Sequence, residues 1–140
     1  MTIHIRAMQI SDYEQALDLW QHTAGMGLSS ADEKREIARF LQQNQGLCFV
    51  ALEDEHLIGT ILCGEDGRRG YLYHLAVQQN KQKKGVGKSL LQKSLNALKE
   101  KGIQKCHLFV IADNLSGIAF WEHVGWEMRD DIEIMSINLE

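Results

Sequence analysis

The chain has 140 residues, of which 44% are apolar and 24% charged, as expected for one globular domain over residues 1–140. This composition excludes disorder, and no apolar run approaches the roughly 18 residues of a membrane span. The N-terminus also lacks the basic and apolar regions of a signal peptide. The net charge of −4 hides a split, because residues 81–105 hold eight lysines and one glutamate, or +7, and the rest of the chain carries −11.

Spacing and periodicity predict the elements in chain order. Ser11 with Glu14, and Ser30 with Glu33, have the spacing of capping boxes and predict the starts of two helices. Leucines at helical spacing predict a third helix that ends at Gly102, and a fourth is predicted over 115–124. Alternation and turn residues predict strands at 2–7, 47–52, 56–63, 71–77, 103–111 and 126–139.

The predicted order is therefore β-α-α-β-β-β-α-β-α-β, an α/β (α+β) domain with one mixed central sheet. The strands at 71–77 and 103–111 are joined by a helix, so we expect them to be parallel.

The cysteines and histidines carry little sign of chemistry. Cys48, Cys63 and Cys106 lie in apolar segments, which predicts buried free thiols in a reducing cytoplasm. The six histidines form no HxxxH, HExxH or Cys/His cluster, so the sequence predicts no metal site.

A basic glycine loop, QKKGVGKS at residues 82–89, lies between a strand and a helix. A helix N-terminus with glycines and lysines binds phosphate, since free amides and positive charge converge there. A Walker A motif would need glycine at Gln82, and a dinucleotide motif would need glycine at Leu90. Nucleic acid is disfavoured because few arginines or aromatics are interleaved with the lysines. The remaining alternative is a solvated lysine-rich helix face.

The loop resembles the acetyl-CoA-binding motif of the GNAT superfamily of N-acetyltransferases. The segment from Gln82 to Gly87 has the form Gln-x-x-Gly-x-Gly and follows a strand that ends LAV. Asn114 and the segment AFWEHVGW at 119–126 look like the later motif of the same family. The predicted element order is also similar to the GNAT fold over nearly all of the chain.

The resemblance implies an enzyme that transfers acetyl from acetyl-CoA to a primary amine of a small molecule or protein. No metal, nucleic acid or membrane partner is implied, and many relatives are homodimers. Pantetheine would lie along strand backbone, and the pyrophosphate would lie on the loop amides, with lysines neutralising phosphates. The cofactor-binding residues implied in this way are Leu75, Ala76, Val77, Gln82, Lys83, Lys84, Gly85, Val86, Gly87, Lys88, Ser89, Asn114 and Trp121.

The resemblance also implies a backbone oxyanion donor, here the Val77 N–H. Trp121 stands where the family often has a tyrosine acid, and an indole N–H donates a hydrogen bond without acting as a proton-transfer acid. We therefore expect the thiolate to leave without a tyrosine acid, or to be protonated through water. Two alternatives stay open: Trp121 is simply part of a helix core, or the protein is a non-catalytic acetyl-CoA-binding or regulatory module.

The general base is predicted to be His74 or a water ordered by Tyr73, ahead of the turn residues Glu65 and Asp66. Strict alternation puts Tyr73 and His74 on opposite faces of their strand unless a bulge shifts the register. The alternative for His74 is a hydrogen-bonded core histidine. The −11 outside the lysine segment favours a cationic amine acceptor, and the loop at 25–30 is expected to close over that acceptor.

Overall fold

The computed structural model describes residues 2–82 and 84–140 as two compact units, one ending at Phe109 and the other beginning at Val110. The first unit holds a five-stranded sheet in the order β1-β2-β3-β4-β5. All neighbouring strands are antiparallel except β4 and β5, which are parallel as predicted. The strands are β1 (Ile3–Ala7), β2 (Phe49–Glu53), β3 (His56–Glu65), β4 (Gly70–Val77) and β5 (Cys106–Leu108).

Three helices pack on this sheet: α1 (Tyr13–Gln21), α2 (Lys34–Gln43) and α3 (Val86–Glu100). β3 is buried at eight consecutive residues, and successive side chains of a strand point to opposite faces, so both faces of the sheet are covered. Trp20 of α1 is 1% exposed and lies in the core cluster. Leu90 and Leu91, two of the predicted leucines, are buried on α3.

Both predicted capping boxes were placed wrongly. The boxes in the structure pair Gln9 with Asp12 and Ser29 with Asp32, and each opens a 3₁₀ turn immediately before its α-helix. An aspartate replaces the expected glutamate because the tighter turn brings its third residue closer to the capping amide. Asp12 Oδ2 accepts the Gln9 amide at 2.9 Å, and Asp32 Oδ2 accepts the Ser29 amide at 2.9 Å.

A bulge interrupts β4. Thr60 pairs with Ala76 and Leu62 pairs with Tyr73, so two β4 residues, His74 and Leu75, lie opposite one residue of β3. His74 has a φ of 49°, in the left-handed region that histidine enters more readily than most residues. The buried Thr60 hydroxyl donates to the His74 carbonyl at 2.9 Å and accepts the Trp20 indole N–H at 2.9 Å. These two hydrogen bonds tie the bulge to α1.

The second unit contains α4 (Leu115–His123) and a long C-terminal segment. The Asn114 side chain caps α4 by accepting the Gly117 amide at 3.1 Å. The strand predicted at 126–139 is not assigned, although the segment is described throughout. A strand is defined by its ladder, and residues 110–140 taken by themselves offer no strand for it to pair with. β5 is also shorter than predicted, at three residues.

None of the helices in the described parts of the chain combines the length and apolar character of a membrane span.

The first prediction concerns acid stability through Asp12, whose carboxylate accepts two bonds from Arg6 at 2.8 Å. Burial raises the pKa of Asp12, but the bonds from Arg6 and the Gln9 amide outweigh burial, and the folded pKa lies below the ordinary value. The unfolded chain therefore takes up this proton first on acidification. The stabilisation is complete above the ordinary aspartate range and is lost as pH falls through the folded pKa.

We expect Asp12→Asn to lower the free energy of unfolding at neutral pH, with a difference from the parent protein that shrinks as pH falls. Urea unfolding at descending pH measures this difference. Asp18→Asn removes the same charge from an exposed residue of α1 and serves as the control. If Asp12→Asn lowered the free energy of unfolding by the same amount at every pH, the stabilisation would not come from the ionised Asp12 carboxylate.

The second prediction concerns Thr60. Thr60→Val keeps the volume but leaves the Trp20 N–H and the His74 carbonyl without this hydroxyl, so we expect about 2 kcal/mol or more of lost stability. Thr60→Ser keeps the hydroxyl and removes one methyl group, for about 1 kcal/mol. Chemical denaturation of the two variants makes the comparison, and equal stability would show that the hydroxyl does not hold the bulge.

Candidate functional site

A cavity of about 440 Å³ opens in the first unit, within the size range of small-molecule sites. α2 lines one side with Glu36 and Phe40, and β4 lines another with Tyr73 and His74. Gly27 and Ser29, from the loop predicted to close over an acceptor, also line it, as does Asp32.

The bulge explains how Tyr73 and His74 reach the same cavity. In a regular strand these neighbours would point to opposite faces of the sheet, as the simple alternation predicts. The left-handed backbone of His74 re-aims its side chain, so both neighbours line one space. Burial raises the pKa of the Tyr73 hydroxyl, which keeps it protonated and able to donate near neutral pH.

His74 is held in a single orientation. Its Nε2 lies 2.6 Å from Asp32 Oδ1, with side-chain exposures of 13% for His74 and 11% for Asp32. The Trp20 ring packs edge-on against the imidazole, with centroids 4.7 Å apart. A carboxylate at Nε2 favours the tautomer with hydrogen on that nitrogen, which leaves the Nδ1 lone pair available. No hydrogen bond to Nδ1 is found within the part of the chain that the structure describes.

Asp32 was not predicted as a partner of His74. The sequence pattern that could have found Asp32 is its spacing from Ser29. These two residues form a capping box that begins one residue before the predicted Ser30–Glu33 box. The hydrogen bonds of Thr60 with Trp20 and with His74 were also missed, because they join residues 40 apart and 14 apart in the chain and leave no local pattern.

The strand end that precedes the glycine loop has an open edge. β4 pairs with β5 only from Gly70 to Leu72, so residues 73–77 have no strand along that edge among the described pairings. Val77 pairs with Gly59 on the other side, and its carbonyl accepts the Gln82 side-chain amide at 3.0 Å. This part of β4 has no strand partner on that side among the described pairings, and the predicted contacts of Leu75, Ala76 and Val77 with the cofactor stay predictions.

Gly85 forms the turn into α3. It is the N-cap residue, its φ is 83°, and a Cβ there would meet nothing within 4 Å. The amides of the next residues form the N-terminal end of α3. Unpaired N–H groups and the helix dipole stabilise an anion at such an end. Val86 is buried and offers its amide only, whereas the side chains of Lys84, Lys88 and Ser89 are exposed. Lys83 falls outside the described residues.

Lys81, just before the loop, is engaged elsewhere. Its Nζ lies 2.7 Å from Glu53 Oε1, and the side chains are 16% and 13% exposed. This hydrogen bond lowers the pKa of Glu53, so that carboxylate stays ionised, and its contact with Lys81 ties the loop to β2. Lys81 therefore anchors the loop, and its charge is already balanced.

The other candidates have structural partners. Asp66 Oδ1 accepts the amides of Arg68 at 2.9 Å and Arg69 at 2.8 Å, which fixes the hairpin turn and lowers the Asp66 pKa. Burial raises the pKa of the Cys48 and Cys106 thiols to about 11, which disfavours a nucleophilic thiolate. Within residues 2–82 and 84–140, no three His, Cys, Asp or Glu side chains group as metal ligands would.

Asn114 and Trp121 belong to the second unit. Asn114 caps α4, as described above. Trp121 is half-buried, with its ring centroid 5.2 Å from that of Phe120 and 5.1 Å from that of Trp126. The aromatic cluster agrees with a packing role, and the predicted contacts of both residues with acetyl-CoA stay predictions.

Comparisons with known proteins indicate the family of the chain. The model of the acetyltransferase (GNAT) family matches residues 13–126. An acetyltransferase of Sodalis glossinidius is 28% identical, over 98% of this chain and 96% of its own length. One of Yersinia enterocolitica is 29% identical, over 93% and 92%.

A crystal structure of the PaiA N-acetyltransferase of Thermoplasma acidophilum in complex with coenzyme A superposes with a TM-score of 0.83 at 25% identity. The superposition covers 93% of this chain and 92% of that one. The glycine loop at the start of α3, the mixed sheet and the match over most of the chain lead to one conclusion: this protein belongs to the GNAT family of acetyltransferases.

Proposed function

We propose that this acetyltransferase transfers acetyl from acetyl-CoA to a primary amine by direct attack, with His74 as the general base. The observation that carries the proposal is the His74–Asp32 pair at the β4 bulge, on the wall of the cavity. A base needs a free lone pair within reach of the acceptor and a partner that stabilises its protonated form. Nδ1 supplies the lone pair, and Asp32 supplies the partner.

Acetyl-CoA supplies an activated acetyl group and a thiolate that departs. The open edge of β4 at Leu75, Ala76 and Val77 would receive the pantetheine arm. The loop and helix-start amides from Lys84 to Lys88 would hold the pyrophosphate, with Lys84 and Lys88 balancing its charge. The Gln82 and Ser89 amides, at the ends of the predicted segment, already donate to the Gln79 and Gly85 carbonyls.

The protein's part in the reaction is then a sequence of proton movements. An ammonium group enters the cavity and gives one proton to Nδ1 of His74, and Asp32 stabilises the resulting imidazolium. The neutral amine attacks the thioester carbonyl, and the Val77 N–H donates to the developing oxyanion. The amine nitrogen then loses its second proton to water as the carbon–sulfur bond breaks. Tyr73 orders water in the cavity through its protonated hydroxyl.

Trp121 takes no part in proton transfer in this scheme. An indole cannot protonate the leaving thiolate near neutral pH, so the thiolate leaves as such or is protonated by water. The alternative function, a non-catalytic acetyl-CoA-binding module, is favoured by the same tryptophan. The two differ in outcome, because a module binds acetyl-CoA without releasing thiol when amines are supplied.

The third prediction tests the base. Asparagine tolerates the left-handed backbone at position 74, so His74→Asn removes the imidazole with little added strain. We expect its kcat to fall about 100-fold or more, and the acid limb of its pH–rate profile to disappear. Asp32→Asn should lower kcat less, because the imidazole stays in place but loses the carboxylate that stabilises its protonated form. Thiol release across a panel of primary amines is the assay.

His22→Asn, an exposed histidine after α1, is the control and should keep the parent profile. An unchanged acid limb in His74→Asn would assign the base to another group. Absence of thiol release in the parent protein, together with acetyl-CoA binding, would favour the non-catalytic module.

The fourth prediction tests the cofactor loop with two matched glycines. Gly85 and Gly102 both have a φ of 83° and open space at the Cβ position, but only Gly85 lies in the loop. Each change to alanine should cost about 1–2 kcal/mol of stability through backbone strain. We expect Gly85→Ala to reduce the thermal shift produced by coenzyme A, and Gly102→Ala to keep it. Equal shifts in the two variants would contradict a cofactor role for this loop.

A further inference from the structure

We propose that the cavity selects a dicationic acceptor, a primary amine that carries a second ammonium group, and that Glu36 recognises this second charge. The inference rests on the proposed function and names the substrate class of the same site. It is supported by the set of charged side chains that line the cavity and by the hydrogen-bonding capacity that these side chains leave unused.

The two carboxylates of the cavity differ in what they already bind. Asp32 uses Oδ2 for the Ser29 amide and Oδ1 for His74. Glu36 accepts no hydrogen bond from the residues that the structure describes, and its ion-pair partners are two loosely placed arginines. Arg39 Nη2 lies 3.7 Å from one oxygen and Arg35 Nε lies 3.9 Å from the other. Both distances exceed a hydrogen bond, so the carboxylate keeps its capacity to accept one.

The Glu36 carboxylate is much less exposed to solvent than the two arginines. The Glu36 side chain is 33% exposed, whereas Arg39 is 72% and Arg35 is 94% exposed. Charges that far into solvent are screened and neutralise a partner weakly. Arg39 also lines the cavity, but its side chain is mostly in solvent, and the carboxylates of Asp32 and Glu36 outnumber it in the lining. The position beside Glu36 therefore favours an ammonium group.

The walls around these charges suit an aliphatic chain. Phe40 and Tyr73 pack edge to face with centroids 5.9 Å apart, and Ile37 and Leu62 add apolar surface. Methylene groups gain free energy on this surface, and ring faces attract a cation. A diamine has this pattern, since an apolar spacer joins two positive groups, one of which gives its proton to His74.

The competing acceptor carries a carboxylate, and Arg39 would recognise it. Three acceptors with the same five-carbon chain separate these cases: cadaverine, pentylamine and 5-aminovalerate. Each has a primary amine to acetylate, and the distal group is an ammonium, a methyl or a carboxylate. We expect kcat/KM to be highest for cadaverine, about tenfold above pentylamine, with 5-aminovalerate lowest.

Glu36→Gln removes the charge and keeps the shape of the side chain. We expect the cadaverine-to-pentylamine ratio of kcat/KM to fall about tenfold in this variant, because the KM for cadaverine rises. Glu33→Gln makes the same charge change in the adjacent turn, outside the cavity lining, and should keep the parent ratio.

Several results would overturn the inference while leaving the proposed function intact. A preference for 5-aminovalerate would assign recognition to Arg39. Equal use of cadaverine and pentylamine, or an unchanged ratio in Glu36→Gln, would show that Glu36 does not recognise a second ammonium group. Failure to acetylate any of the three, while other amines of the panel release thiol, would overturn the inference alone. Failure with the whole panel, with coenzyme A still bound, would overturn the proposed function as well.

Discussion

The hydrogen bond from Thr60 to the His74 carbonyl holds β4 in its bulge, and the arrangement of the cavity depends on it. A left-handed histidine costs on the order of 1–3 kcal/mol, which persists only where the surroundings fix it. Here a fully buried hydroxyl binds the strained carbonyl, and a buried tryptophan binds the same hydroxyl. The strain is thus held by the core, and the imidazole receives its direction from residues that never touch a substrate.

Local signals predicted the frame of the molecule well. Leucine spacing, turn residues and the glycine loop indicated the first five strands, the helices between them and the parallel β4–β5 pair, because each leaves a pattern within a few residues. The Ser30–Glu33 box was wrong by one residue, since a 3₁₀ turn lets Asp32 do the work expected of a glutamate. The bulge at His74 was beyond prediction, because the bonds that fix it come from distant parts of the chain.

The number of charges in the sequence does not show which of them are paired in the fold. Eight lysines between residues 81 and 105 suggest a strongly positive surface. Lys81 is nevertheless balanced by Glu53 in a largely buried pair, so it stabilises the loop and does not add to the positive charge that the loop presents. Lys84 and Lys88 remain exposed beside the helix start. The number of charges can be read from the sequence, whereas their pairing, which decides what the loop attracts, needs the fold.

Asp12 and Asp32 use a similar device, in which Oδ2 closes a 3₁₀ turn by accepting a backbone amide and Oδ1 binds a cation or an imidazole. In Asp12, Oδ2 also accepts a second bond from Arg6. For Asp32 this dual use has an evolutionary consequence. A descendant that lost catalysis would still need the carboxylate to begin α2, so selection on folding alone would retain it. Under the proposed mechanism, aspartate at this position is a poor marker of activity among relatives, whereas histidine at the bulge, with its strained backbone, is a discriminating one.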